Sequence, residues 1–313
     1  MSVDTGTFLV LTGGIGGAKL CLGMQRVLPA GSVRIVVNTG DDFEHLGLRI
    51  SPDIDTTIYT LSGLANTELG WGRRDETWTF MQALSSIGGE TWFQLGDGDL
   101  ALHVERTRRL AGGESLTRIT ADIARRLGVT AAVFPMSDSP VSTIVTTTEG
   151  DMGFQDYFVR RRCAPVVTGL SFRGAEAARV PEGICKSLRA IVIAPSNPYL
   201  SVDPILAVPG MRSLLREANV PIIAVTPLIG GAAVKGPTVK IMRELGIEPS
   251  PLSIVQHYHD LIDGFVLDAR DAVLQARTDL PVQVCDTLMV SLEDRERVAR
   301  CVLEFAHQLR AGG

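Results

Sequence analysis

What the chain lacks narrows its function first. Its 313 residues include only five cysteines, at positions 21, 163, 185, 285 and 301, with no C-x-x-C among them. That pattern argues against a disulfide framework and a cysteine zinc site, and predicts reduced thiols in the cytoplasm. The densest basic stretch is the arginine triplet 160–162, and the net charge is -5, so nucleic acid is not an expected partner. No apolar run reaches the roughly 20 residues that span a bilayer. The N-terminus has no charged region followed by an apolar core, so neither a signal peptide nor a membrane anchor is expected. Several catalytic signatures are missing too: G-x-x-x-x-G-K-[ST], a clean G-x-G-x-x-G, and the G-x-S-x-G elbow. Aromatic residues make up only 5% of the chain.

What is present points to an α/β protein that handles phosphate. With 45% hydrophobic residues, the chain can bury a large core. Residues 8–20, FLVLTGGIGGAKL, read as a buried strand, a glycine turn and the start of a helix. Glycine lets a ligand approach the backbone closely, and the start of a helix favours an anion. Thr12, Gly13, Gly14, Gly16 and Gly17 are therefore candidate substrate contacts, with Lys19 one turn on as an added positive charge. An ordinary tight turn is the competing reading. Further apolar strands are expected at 33–38, 131–134, 190–194, 222–226 and 264–267, and an additional one, at a sheet edge, at 142–147. Helical patterns cover 16–28, 75–85, 100–110, 116–127, 211–218, 237–245 and 293–309. Continuous apolar strands alternating with helices predict a Rossmann-like, mostly parallel sheet with helices on both faces. The expectation is a single α/β domain over 1–313, with a smaller inserted subdomain at 137–179.

In such sheets ligands bind beyond the carboxyl ends of the strands. Four loops expected at that edge are dense in Gly, Pro, Ser, Asn and Asp. The first, after Asn38, holds Asp41, Asp42, Glu44, Asp53 and Asp55. Asp42, Asp53 and Asp55 are candidate ligands for a hard cation such as Mg²⁺, which binds through one or two carboxylates plus substrate phosphates. A carboxylate here is alternatively a base for an attacking hydroxyl, or a helix cap. The other loops offer Ser137 and Asp138, then Ser196 and Asn197, then Gly230, Gly231 and Lys235 as contacts to a base, ribose or phosphate. Asp97 or Asp99 is expected to cap a helix, and a lone His such as His103 is more often structural. Trp71, Trp78, Trp92, Phe80 and Phe93 gather in one region, either as core or as a wall for a flat apolar ring.

These stretches together resemble a known family. TGGIGGAKL (12–20), VNTGDDFEHLGLRISPDIDTTIYTLSG (37–63), WGRRDET (71–77), FQLGDGDLALH (93–103), FPMSDSPVSTIV (134–145), APSNPYLSVDPILAVPGM (194–211) and TPLIGGAAVKGPTVKIM (226–242) are similar to the 2-phospho-L-lactate transferases of coenzyme F-420 biosynthesis. The resemblance implies transfer of a phosphoryl-linked acid from a guanosine diphosphate-activated donor to the terminal ribityl hydroxyl of the deazaflavin Fo. GMP leaves, and Mg²⁺ is required. It implies catalytic Asp53 and Asp55, and substrate contacts that include Asn38, Asp97 and His103. One departure stands out: Gly98 occupies a position where the family often has Arg. A nucleotide-binding regulator of the same fold is the second reading. An NAD-type dehydrogenase is the third, weakened by Asn38 in place of an acidic residue at the end of the second strand. Which acid is carried is open, and a two-fold homodimer is the base-rate expectation.

Overall fold

The computed structural model describes residues 6–68, 71–233 and 236–312. Seven strands form its centre: β1 (Thr7–Thr12), β2 (Val33–Val37), β3 (Ala132–Pro135), β4 (Leu188–Ile193), β5 (Ile222–Val225), β6 (Gly264–Asp268) and β7 (Val282–Cys285). They pair in the order β7-β6-β5-β4-β1-β2-β3, every pair parallel. The chain starts in the middle, winds outward through β2 and β3, then returns and winds the other way from β4 to β7. This is the doubly wound, Rossmann-like order, and its switch point lies between β1 and β4.

Ten helices accompany the sheet among the described residues: α1 (Ile15–Val27), α2 (Pro52–Ser62), α3 (Thr79–Ser86), α4 (Asp97–Ala111), α5 (Leu116–Arg126), α6 (Asp203–Leu206), α7 (Met211–Glu217), α8 (Thr238–Glu244), α9 (Pro251–His257) and α10 (Leu292–Gly312). Side chains alternate across a strand, so each apolar strand feeds two cores. Phe8 and Val10 of β1 join a cluster with α1, α2, α5 and α10. Leu9 and Leu11 join the opposite cluster with α6, α7, α8 and α9. A third, smaller core of Ile50, Met81 and Leu95, with Phe43, Trp78, Phe80 and Phe93 against it, sits under α3 and α4. No helix among the described residues is long and apolar enough to cross a membrane.

The structure corrects several sequence expectations. Ser142–Thr147 is not an edge strand of the main sheet. It is the middle strand of a separate antiparallel sheet with Gly150–Gly153 and Val167–Arg173. Val145, Phe154, Tyr157 and Val167 of this region pack on the Leu9 side of the main sheet. The helix expected from residue 75 starts only at Thr79, because Asp75 takes a left-handed φ of 58° that a helix cannot hold. Strand β7, helix α9 and the antiparallel hairpin of Phe43–His45 with Leu48–Ile50 are elements the periodicity did not reveal.

Candidate active site

The carboxyl ends of β1 and β4 open onto a cavity of ≈ 720 Å³. Here the glycine turn and the loop after β4 approach as closely as glycine permits. A Cβ on Gly16 would stand 2.6 Å from the Pro195 carbonyl oxygen, and one on Gly17 only 1.9 Å from Thr12 Oγ1. Ser196 ties the two loops by accepting a 3.0 Å hydrogen bond from the Gly13 N–H. Gly14 is the N-cap of α1 and offers no side-chain cap. The first turn of α1 therefore presents backbone N–H groups to the cavity, which Gly14, Ile15 and Gly16 line. Lys19 also lines it, and its ammonium donates to the Met289 carbonyl oxygen at 2.7 Å.

Opposite the turn lies a set of buried carboxylates. The Pro at the first position of α2 starts the helix, and Asp53 and Asp55 ride in its first turn, both buried. Neither has a capping role. Asp53 Oδ2 accepts from Asn38 Nδ2 at 3.0 Å, and Asp55 forms a two-pronged ion pair with Arg106, one arm of 3.0 Å. Arg106 is 1% exposed. Ser51, the N-cap of α2, donates instead to Asp42 Oδ2 at 2.6 Å. Asp99, His103 and Arg106 share one face of α4 by their spacing. His103 sits between two carboxylates, with Nδ1 3.7 Å from Asp55 and Nε2 3.2 Å from Asp99. Tyr59 donates to Asp99 at 2.6 Å. Asp55, Asp99 and His103 place ligand atoms within 4.8 Å of one another and form a group able to hold a metal ion.

The charges are unevenly balanced. Burial pushes the Asp99 carboxyl up, but His103 and Tyr59 outweigh it and hold it below the usual range. At Asp41, Asp42 and Asp53 the relief falls short: Asn38 donates to Asp53 and Ser51 to Asp42, and burial still outweighs it. Burial raises Asp41 and Asp42 well above the usual range, and raises Asp53 to about 6. Asp53 pushes Asp41 further. Asp41 Oδ1 and Asp42 Oδ1 are buried without a hydrogen-bond partner. Buried carboxylates in that state call for a cation or a proton.

An aromatic wall completes the cavity: Trp71, Trp92, Phe93, Phe154 and Phe158. Phe154 and Phe158 stack at 5.3 Å, and the Arg160 guanidinium lies 4.5 Å over the Trp92 ring. A second cavity of ≈ 610 Å³ adjoins the first and shares Asp41, Trp92 and Gln155 with it.

Comparison with known proteins identifies the chain. The family model for 2-phospho-L-lactate transferase CofD matches residues 8–302. The chain belongs to the 2-phospho-L-lactate transferase CofD family. It is 38% identical to a 2-phospho-L-lactate transferase of Methanosarcina acetivorans, over 94% of this chain and 97% of that one. It is 39% identical to a 2-phospho-L-lactate transferase of Methanopyrus kandleri (96% and 97% covered) and 36% identical to a phosphoenolpyruvate transferase of Streptomyces griseus (97% and 99% covered). A crystal structure of a UPF0052 family member from Bacillus halodurans shares the fold, with a TM-score of 0.60 and 14% identity over 95% of this chain and 99% of that one.

With this CofD-family fold in hand, the sequence candidates fall into three groups. Gly14, Gly16, Lys19, Asp53, Asp55, His103, Ser196 and Asn197 line the main cavity together. Thr12, Gly13, Gly17 and Asn38 lie immediately behind it, where Thr12 Oγ1 stands 3.4 Å from Ser196 Oγ and Asn38 braces Asp53. Asp42, Ser137, Asp138 and Asp97 are directed elsewhere. Asp42 and Asp138 line the second cavity. Asp138 accepts from the Thr117 N–H near the start of α5, and Ser137 Oγ accepts from the Ser139 and Arg179 N–H groups. Lys235 lies outside the described residues.

Asp97 and its neighbour Glu76 make an exchange of caps that the sequence hid. Neither Asp97 nor Asp99 caps α4. Glu76 reaches from the loop before α3 to the N–H groups of Gly98 at 2.6 Å and Asp99 at 2.9 Å. Asp97 caps α3 instead, accepting from Thr79 N–H at 3.1 Å and Phe80 N–H at 2.9 Å. The expected result for Asp97→Ala is a loss of about 1–2 kcal/mol in stability, with catalytic turnover unchanged. Denaturant unfolding beside a product assay checks both, and a turnover loss without a stability loss would give Asp97 a substrate role.

The site residues that the sequence does not single out are Tyr59, Arg106, Phe154 and Phe158, while it shows Asp41 only as one of a group of acidic residues and Asp99 as a helix cap. Asp99, His103 and Arg106 carry a usable signal, since i, i+4 and i+7 fall on one helical face.

Proposed function

We propose that this protein transfers a phosphoryl-linked organic acid from a guanosine diphosphate-activated donor to the terminal ribityl hydroxyl of the deazaflavin Fo, releasing GMP, in coenzyme F-420 biosynthesis. The observation that carries the reading is one cavity that joins three chemistries at the switch point: an uncapped helix start, a buried carboxylate set and an aromatic wall. The glycine turn and α1 hold the diphosphate, with Asn197 and its loop toward the guanosine. Trp71, Trp92, Phe93, Phe154 and Phe158 take the flat deazaflavin. The region 137–179 acts as an inserted subdomain that supplies Phe154 and Phe158 to that wall.

Asp41 and Asp53 fit a Mg²⁺ ion, because burial outweighs the hydrogen bonding at both carboxyls and Asp41 keeps an unpartnered oxygen. When bound, the ion neutralises charge on the transferring phosphoryl group. The chain's own residues do the rest. The backbone N–H groups of α1 fix the donor. The Asp55–Asp99–His103 group orients the acceptor hydroxyl and takes its proton, while Arg106 and Tyr59 hold that group in place. The aromatic wall keeps water from competing with the acceptor.

The deciding measurement is mass spectrometry of the product formed from Fo with each guanosine-linked donor: phospholactate, phosphoenolpyruvate and phosphoglycerate. Quenching of Fo fluorescence without any product would support a binding protein instead. The glycine turn has its own test. A Cβ on Gly14 would meet only Asp53 Oδ1, at 3.0 Å, and circular dichroism establishes that Gly14→Ala is folded before its binding is measured. Its methyl group intrudes where phosphate must approach, so GDP affinity by calorimetry should drop roughly tenfold, about 1.4 kcal/mol. Unchanged affinity would move the phosphate away from the turn.

A further inference from the structure

We propose that Lys240 is a positioning residue for the flat acceptor: it anchors the segment that carries Phe154 and Phe158, and so sets the aromatic wall. The inference rests on the placement of the deazaflavin against that wall proposed above. Phe158 belongs to a single π-helical turn, Asp156–Arg160, and Phe154 lies just before it. Isolated π turns recur at functional sites. The two rings stack with an interplanar angle of 14°, and Phe158 is 40% exposed. A surface ring of this kind has little packing of its own, so its place depends on what holds the turn beneath it.

The hold is concentrated on α8. From Phe158 to Val166 the chain is mostly exposed, while Tyr157, Pro165 and Val167 are buried. All three are tied to Lys240 and Glu244, an ion pair one helical turn apart. Lys240 Nζ donates to Tyr157 Oη at 3.2 Å and to the Pro165 carbonyl oxygen at 2.9 Å. Glu244 Oε2 accepts from Lys240 Nζ at 2.7 Å and from the Val167 N–H at 2.9 Å. Bonds to an ionised group are the stronger kind. The base of this clamp is firm, since Ile241 and Met242 of α8 are fully buried in the core on the Leu9 side.

The backbone of the segment also needs such a clamp. Arg162 and Cys163 take left-handed φ values of 49° and 57°, which residues other than glycine adopt uncommonly and which persist where the surroundings over-determine them. On the cavity side the hold is looser: Arg160 lies over the Trp92 ring and pairs with Glu90 at 3.7 Å, both side chains exposed, and exposed pairs contribute little. Neither Lys240 nor Tyr157 lines the main cavity. Their effect on an acceptor there runs through Phe154 and Phe158, which do line it.

The test combines steady-state kinetics with Fo as the varied substrate, Fo binding by fluorescence and GDP binding by calorimetry. Lys240→Met keeps the aliphatic stem and removes the donors. Its KM and Kd for Fo should rise roughly tenfold, with kcat within about twofold of the parent, the signature of lost binding without lost transition-state help. GDP affinity should be unchanged. Lys240→Arg keeps the charge and the donors, so it should recover part of the loss. Tyr157→Phe keeps the ring and removes one bond. It should raise the KM for Fo by roughly threefold, and it decides the matter if Lys240→Met does not fold. Phe158→Ala separates the proposal from the reading beneath it. Weaker Fo binding in Phe158→Ala but parental Fo binding in the Lys240 and Tyr157 variants overturns the proposal and leaves the wall standing. Parental Fo binding in all of them removes the wall as well. An equal loss of GDP and Fo affinity in Lys240→Met also overturns the proposal, because the lysine then supports the fold at large.

Discussion

Arg106→Met should be among the most destabilising single substitutions in this protein, costing roughly 3–5 kcal/mol, the usual result of removing one partner from a buried ion pair. Arg106 is 1% exposed, and both arms of its guanidinium hold Asp55. It also contacts His103 Nδ1 at 3.3 Å and the Arg49 carbonyl oxygen at 3.4 Å. Methionine fills much of the volume but leaves Asp55 buried near Asp42 and Asp99 without its arginine, and with only His103 beside it at 3.7 Å. At about 2–4 °C per kcal/mol for a chain of this order of size, the melting temperature should fall by roughly 10 °C. The double variant Arg106→Met, Asp55→Asn separates charge from packing. Removing the stranded carboxylate should recover part of the loss, giving a coupling within the 0.5–3 kcal/mol seen for residues in one network. If the double variant is no more stable than Arg106→Met, the arginine acts through its packing and the charge argument fails.

That ion pair also shows where sequence reading stopped. The seven parallel strands were mostly legible because a strand covered on both faces is a continuous apolar run, and VRIVV or AIVI has no other easy reading. Strand β7, VQVC, was not legible: at the sheet edge all four of its residues are only half-buried, so its pattern is short and mixed. The antiparallel sheet around Ser142–Thr147 was seen as one strand, since periodicity reports a strand but not its partner. At the site, Asp53 and Asp55 were visible from their density on one loop. The reach of Asp55 to Arg106, 51 positions away, depends on α2 and α4 meeting through their side chains, and no local pattern encodes it. The same holds for the crossed caps of Glu76 and Asp97. A carboxylate just before a helix reads as that helix's cap, and here each serves the other helix because the loop between α3 and α4 folds back.

Asp53→Asn should leave the protein folded, at least as stable as the parent without metal, and slower in turnover by roughly 10²-fold or more, the scale of lost proton or charge help at a reacting centre. The stability half follows from the buried charges. Asp53 raises the proton affinity of Asp41 beside it, and its own carboxyl is pushed up to about 6 by burial. Neutralising it removes repulsion, while the amide oxygen still accepts from Asn38 Nδ2, now 3.0 Å away. Stabilisation on losing a strained site residue is the usual trade between stability and activity. The activity half follows if the charge of Asp53 is needed to hold Mg²⁺ near the donor phosphates. Added Mg²⁺ with GDP should then raise the melting temperature of the parent clearly and that of the variant little, because stabilisation by a ligand scales with its affinity for the folded state. Thermal melts with and without Mg²⁺ and GDP, run beside product formation, give both readings on one preparation. A variant with parental turnover and the full Mg²⁺-dependent shift would remove Asp53 from the chemistry and leave Asp55, Asp99 and His103, whose ligand atoms already lie within 4.8 Å of one another, as the metal-holding group.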